Sequence, residues 1–263
     1  MKLILASSKD KAAKNIAAQL LEFYDFERTS GPEVDYIFNN VGMVMTDKET
    51  TKLTTLSLKA DEVIVASRHA SATGRPSFTV HVPGELELHK MALASPPTIK
   101  SALVSLVAAR DELELPHSVS LESTHHGPSN LDIPVTFVEI GSTMEEWSNQ
   151  RAGEIVAHAI MKAAISPAKC SNAVGLGGPH YAPRHTEITL HTNLGIGHIL
   201  PKYLKFDEKL IELAVSRTRG LAQFLALDWK GLSTERRAIC QKTADRLGIR
   251  AERSKDIITQ EKL

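Results

Sequence analysis

Cysteine is scarce in this chain: two residues, Cys170 and Cys240, among 263. That is too few for a disulfide framework or a cysteine-rich zinc site, so a bound metal would have to be held by histidine and carboxylate. Long apolar runs are missing too. The opening "MKLILASSKDKAAKNIAAQ" turns polar after "LILA", short of a signal-peptide core, and no later run approaches a membrane span. The expectation is a cytoplasmic protein with no membrane partner. Net charge is absent, with 31 basic and 31 acidic residues. A protein-wide field for nucleic acid is thereby excluded, and a polyanion could meet only a local patch. There is no G-x-S-x-G, Walker A or H-E-x-x-H motif, and "GLGGPH" lacks the glycine spacing of a dinucleotide site.

What is present suffices for a core. Hydrophobic residues make up 42% of the chain, and strand-like runs alternate with helical patterns, the signature of an α/β fold. "KLILA" reads as a buried strand, with Ser7 or Ser8 capping the helix after it. "VDYIFNNV", "EVIVA", "SFTVHV", "HSVSLE", "PVTFVEI" and "NAVGLGG" read as further strands. "SPPTIKSALVSLVAARDELE" reads as a helix with its prolines in the first turn. Ser142-x-x-Glu145 has the capping-box pattern ahead of a long amphipathic helix. "PHYAPRHTE" reads as a loop. "DEKLIELAVSRTRGLAQFLAL" and "STERRAICQKTADRLGI" read as helices, making the portion from about 207 to 263 helical. With no repeat or linker in view, the expectation is one α/β domain over 1–263, a mixed, largely parallel sheet flanked by helices.

The polar chemistry clusters where apolar runs end. Arg68-His69 follows "EVIVA", "ESTHHGP" (residues 122–128) follows "HSVSL", and His180 follows "NAVGLGG". Ligands of open α/β sheets bind beyond the carboxyl ends of strands, so these residues are expected to converge if their strands are parallel neighbours. His125 and His126 would point to opposite faces in an extended segment, and only a turn would bring both inward. Imidazoles beside Glu122 suit a metal or general-base site; the plainer reading is a polar turn closed by Gly127-Pro128. In "GGPHYAPRHT", Gly177 and Gly178 permit close backbone approach and the prolines stiffen the frame. That frame presents His180, Tyr181 and Arg184, the last suited to phosphate or carboxylate. His198 and Lys202 follow in "GIGHILPKY". His81, inside a strand, reads as a hydrogen-bonded core histidine. The combination favours a histidine–carboxylate hydrolase over a redox or kinase site.

Five blocks, "SRHAS…GRPSFTVH.PG", "ESTHHGP", "PVTFVEIGST.EEW", "GGPHYAPRHT" and "GHILPKY", occur in this order over residues 67–203. Together they resemble the archaeal and plant D-aminoacyl-tRNA deacylase family. The resemblance implies a fold similar to phosphorylases and peptidyl-tRNA hydrolases. It also implies zinc-assisted hydrolysis of the ester between a D-amino acid and the terminal ribose of tRNA. Ser123 and Ser129 depart from the residues frequent in that family, alanine and threonine, which touches pocket shape and not the histidines. Joined to the strand-end placement, the resemblance suggests His69, His126, His180 and His198 as zinc ligands. Glu122, His125 and Tyr181 become the catalytic candidates. Arg68, Gly177, Gly178, Arg184 and Lys202 become substrate-binding candidates, Arg184 and Lys202 for phosphates of the acceptor end of D-aminoacyl-tRNA and the rigid glycine backbone for excluding an L side chain. A basic run from Arg236 through Arg246 and Arg253 to Lys262 offers a local RNA surface or a solvated helical face. The competing readings are a nucleoside phosphorylase, a metal-dependent peptidase or amidohydrolase, and a non-catalytic RNA-binding module.

Overall fold

The computed structural model describes residues 1–31, 33–56 and 59–261, so Lys262 lies outside the described residues. "LILA" and "EVIVA" become the strands Lys2–Ser7 and Glu62–Ala70, paired in parallel with Leu3 opposite Val63. Both are almost wholly buried. They lie near the middle of an eight-stranded sheet. Its order runs Glu27–Arg28, Tyr36–Phe38, Val41–Thr46, Lys2–Ser7, Glu62–Ala70, Val135–Ser142, Ser77–His81, Ser118–Leu121. Val135–Ser142 is parallel to Glu62–Ala70, but Ser77–His81 is antiparallel to it, and Ser118–Leu121 follows that reversed direction.

Three helices cover this sheet. Lys11–Phe23 buries Ile16 and Leu20, Pro96–Glu112 buries Ile99, Leu103 and Leu106, and Gln150–Ile165 buries an alanine-rich stripe between them. The caps differ from the sequence expectation. Asp10, not Ser7 or Ser8, caps the first helix by accepting from Ala13 N at 3.0 Å. Thr143 caps a short helix, Met144–Ser148, while the Ser142 hydroxyl instead donates to the Arg75 carbonyl. The expected long helix is therefore broken at Asn149, whose side chain caps the second piece.

A second, all-parallel sheet has the order Leu194–Leu200, Ser171–Leu176, Phe224–Leu227, Arg250–Arg253. Ala173, Ile196 and Ile199 join the apolar core shared with the large sheet. Val174, Leu176 and Leu225 face the opposite way, onto Leu210, Ile211, Cys240 and Ala244 of the helices Glu208–Ser216 and Thr234–Leu247. The C-terminal portion is thus not wholly helical, because "FLAL" and "RAER" supply two strands of this sheet. "PRHTEITLH" is likewise a helix, Pro183–His191, with Pro183 in its first turn and His185, Thr186, Ile188 and Thr189 buried. Proline there satisfies the helix start, since its missing N–H is one the first turn leaves unpaired anyway. The basic run is largely spent internally: Arg246 pairs with Glu208 and Glu212, and Arg237 and Arg253 cover the ring of Trp229. Among the described residues no helix is long and apolar enough to cross a membrane.

Candidate active site

The polar residues converge on a face of the large sheet, not simply at its strand ends. Register places Ser67 beside Glu139, His69 beside Gly141, Thr79 beside Glu139 and His81 beside Phe137, so these side chains share one face. Leu121 pairs with Val80, so the next residue, Glu122, continues onto the same face beside His81. The strand-end expectation required parallel neighbours, yet the His69 and Glu122 strands are antiparallel and two strands intervene. Their side chains still meet, with His69 Nδ1 3.1 Å from Glu122 Oε1. Gly141 allows this, because a Cβ there would lie 2.8 Å from His69 Cδ2 and 2.5 Å from Ser77 Oγ.

Residues 122–126 then bridge the two sheets. Ser123 N donates to the His180 carbonyl at 2.8 Å, Thr124 N donates to the Ile199 carbonyl at 3.0 Å, and Gly84 N donates to the His125 carbonyl at 3.1 Å. The backbone at His126 turns to φ 40°, the left-handed region, and this ends the strand alternation. Both imidazoles of the pair can therefore reach the same cluster. His125 Nε2 and His180 Nε2 each lie 3.5 Å from Glu122 Oε2, and His126 Nε2 lies 3.2 Å from His81 Nε2. Tyr181 closes the other side, its hydroxyl 2.7 Å from His69 Nε2.

The proton positions follow from the partners. His125 Nδ1 meets the Ser123 carbonyl at 2.8 Å and His126 Nδ1 meets the Gly127 carbonyl at 2.6 Å. A carbonyl only accepts, so each Nδ1 must carry the hydrogen. Burial, reinforced by the neighbouring His126, pushes His125 down to about 4, and burial lowers His126 as well. Both rings are then neutral at pH 7, and both Nε2 atoms present bare lone pairs towards a buried carboxylate or another imidazole. Burial works against ionised Glu122, but His180, His69 and His125 around it outweigh that and hold its pKa low. Its two oxygens and His81 Nδ1 are buried without an aligned hydrogen-bond partner among the described residues.

The His125 lone pair facing the Glu122 carboxylate is unfavourable unless a proton or a cation sits between them, whereas His126 Nε2 can accept from His81 Nε2. Histidines whose second nitrogen donates to a backbone carbonyl are the usual metal-ligand arrangement. Three donor groups fit a metal ion: His81, His125 and His126; Glu122, His125 and His180; and His69, Glu122 and Glu139.

The remaining expected site residues are distributed as follows. Arg68 lines the polar cavity that opens beside the cluster. His198 is not brought in: it is fully buried, accepts from the Thr124 hydroxyl (3.1 Å) at Nδ1 and donates to the Ala92 carbonyl (3.0 Å) from Nε2. Both nitrogens are used, so His198 braces Thr124 and leaves no lone pair for a metal. Arg184 lies on the outer face of its helix, paired with Glu187 at 2.8 Å. The Lys202 side chain is exposed, and its backbone joins Gly178 and Arg236. Gly177 and Gly178 have φ values of 88° and 82° and close on Asp228 and Leu232, so they serve the packing of the small sheet.

Two residues were not singled out from sequence as members of the site. His81 is the buried, hydrogen-bonded histidine the sequence suggests, and its partner is His126 of the cluster. Glu139 faces His69 at 3.7 Å and accepts from Thr79 Oγ1 at 3.3 Å. Burial, with Glu122 nearby, raises it to about 7. It is the only charge within "PVTFVEI", and a lone carboxylate in an apolar strand is a signal in itself, since such a group must find partners.

Comparison with known proteins identifies the family. Residues 56–252 match the D-aminoacyl-tRNA deacylase family. The chain is 36% identical to the D-aminoacyl-tRNA deacylase of Pyrococcus furiosus, over 95% of this chain and 98% of that one. It is 34% identical to the enzyme of the same name from Archaeoglobus fulgidus, over 98% of each chain. The crystal structure of a conserved protein of unknown function, AF0625, superposes with a TM-score of 0.92 at 33% identity, covering 98% of this chain and 97% of that one.

Proposed function

Because this chain belongs to the D-aminoacyl-tRNA deacylase family, we propose that it hydrolyses the ester between a D-amino acid and the terminal ribose of tRNA on its histidine–glutamate sheet face. The observation that carries this reading is the convergence on buried Glu122 of His69, His125 and His180, from segments far apart in sequence. A buried carboxylate ringed by His69, His125 and His180, imidazoles that themselves line a cavity of about 500 Å³, is arranged for hydrolysis and not for packing.

The donor chemistry suits zinc, which accepts imidazole and carboxylate in small, tightly grouped sets. His125 would hold it with His81 and His126, a set that leaves Glu122 free of the metal, or with His180 and Glu122. The chemistry zinc would supply when bound is polarisation of the ester carbonyl and a lower pKa for an attacking water. The protein's own groups do the rest. Backbone carbonyls of Ser123 and Gly127 fix the tautomers of the His pair, keeping Nε2 of each ring available. Glu122 takes the general-base role, ionised at neutral pH and oriented by the histidines around it. Glu139 titrates near neutrality and can receive a proton passed through His69. Tyr181, hydrogen-bonded to His69, is the donor for the departing ribose oxygen. Such a tRNA substrate fits an enzyme of the cytoplasm.

The test is discharge of matched D- and L-tyrosyl-tRNA by purified protein, before and after chelation and with zinc restored. D-selective discharge lost on chelation and regained with zinc supports both substrate and metal. D-selective discharge indifferent to chelation removes the metal and leaves the carboxylate–histidine chemistry. No discharge of either isomer overturns the reading.

A further inference from the structure

Two cavities, not one, open onto the His125–His126 pair. One, of about 500 Å³, is walled by polar groups: Lys9, Arg68, the hydroxyls of Ser7, Thr50 and Ser67, and the carboxylates of Glu139, Asp10 and Glu49, the last two engaged by the Ala13 N–H and by Lys52. The other, of about 360 Å³, is walled by Leu86, Leu88, Pro201, Tyr203 and Leu204, with Glu85 and Glu87 beside them. Both imidazoles line both cavities, so a bond placed at the pair has one substituent in each.

An aminoacyl ester has two ends of opposite chemistry. Its nucleotide end is a hydroxyl-rich ribose carrying phosphates. Its other end is a side chain, frequently apolar, on a carbon that bears an ammonium group. The polar cavity suits the first end. Lys9 and Arg68 are cations at its wall, and Arg68 is steadied by lying over the Trp147 ring at 5.4 Å. The apolar cavity suits the second. Leu88 and Tyr203, both at its wall, are 61% and 63% exposed, large apolar groups with room for a partner. Among the described residues no lysine or arginine lines this cavity, and Glu87 beside it, with Glu85 engaged by the Ser129 hydroxyl, would attract an ammonium.

Resting on the deacylase reading, we infer that the substrate's amino-acid side chain enters the Leu86–Leu204 cavity while its terminal nucleotide occupies the Lys9–Arg68 cavity. Leu88 and Leu204 then determine which amino acids are accepted. Lys9 and Arg68 hold the nucleotide without regard to the amino acid.

The experiment compares kcat/KM for D-tyrosyl- and D-aspartyl-tRNA in wild type, Leu88→Lys, Leu204→Lys and Lys9→Glu. Wild type should favour D-tyrosyl-tRNA. Leu88→Lys, at an exposed position that tolerates charge, should shift the tyrosyl-to-aspartyl ratio towards aspartyl by about tenfold or more, as a new charge in an apolar pocket does. Lys9→Glu should raise KM for both substrates together, with the ratio kept and the salt dependence flattened. The orientation is overturned if both leucine variants leave the ratio within twofold of wild type. It is equally overturned if Lys9→Glu changes the ratio while the leucine variants lower both substrates alike. A wild type inactive on every D-aminoacyl-tRNA overturns the underlying reading instead.

Discussion

His69 Nδ1 and Glu122 Oε1 stand 3.1 Å apart although their strands run in opposite directions with two others between them. The contact exists because both residues project from one face of the sheet and nothing at Gly141 obstructs the imidazole. It joins Tyr181 and His69 on one side to Glu122 and the His pair on the other, making one connected polar surface in an otherwise apolar core.

Gly141→Ala tests that connection. The added methyl would lie 2.8 Å from His69 Cδ2 and 2.5 Å from Ser77 Oγ, closer than real contacts allow, so the His69 ring must move. Loss of this positioning is expected to lower kcat by about 10- to 100-fold, the scale of an ångström-level misplacement. Substrate KM should change little. Steady-state kinetics on D-tyrosyl-tRNA checks both.

His198 should reveal itself through pH and not through metal. Burial pushes it down to about 4 in the fold, from an ordinary value of 6.5. The unfolded chain therefore binds more protons between these values, and stability falls as pH drops through that window. One such histidine contributes about 3 kcal/mol that is present above pH 6.5 and lost by pH 4. Urea unfolding across this range should show His198→Gln with a shallower pH dependence than wild type, by about one proton. An unchanged slope would mean that His198 is already free to ionise.

Zinc content separates the ligand set from its surroundings. After chelation and reloading, His126→Ala and His180→Ala are expected to retain less zinc than wild type, by elemental analysis of folded protein. His198→Gln and Cys170→Ser should retain the wild-type amount, since neither side chain offers the cluster a donor. Full zinc retention by both His126→Ala and His180→Ala would exclude these two as ligands.

Much of the architecture was legible because buried parallel strands leave apolar runs such as "LILA" and "EVIVA" that survive inspection. The site was legible in part. "ESTHHGP" and "GGPHYAP" drew attention because polar residues follow apolar runs, and His69, Glu122, His125, His126, His180 and Tyr181 do come together. Strand direction was not legible. Nothing local in "SFTVHV" says that it runs antiparallel to "PVTFVEI", and that reversal decides which residues meet. His81 was hidden for the same reason: alternation places it on a buried face without saying what else that face carries. Pro183 fits a stiffened loop in the sequence and starts a helix in the fold, because proline is favoured in both settings. His198 looked like a ligand from its neighbourhood in sequence. Only the carbonyl of Ala92 and the hydroxyl of Thr124, brought in by tertiary contacts, use up its nitrogens.

The most direct measurement is single-turnover discharge of D-tyrosyl-tRNA by Glu122→Gln beside wild type, with circular dichroism confirming that both are folded. Glutamine keeps the shape of the side chain but removes the charge that the histidines surround. The rate is expected to fall at least about 100-fold, the range for loss of a general base or charge-stabilising group. A folded Glu122→Gln protein that discharges D-tyrosyl-tRNA near the wild-type rate would contradict the assignment of catalysis to this sheet face.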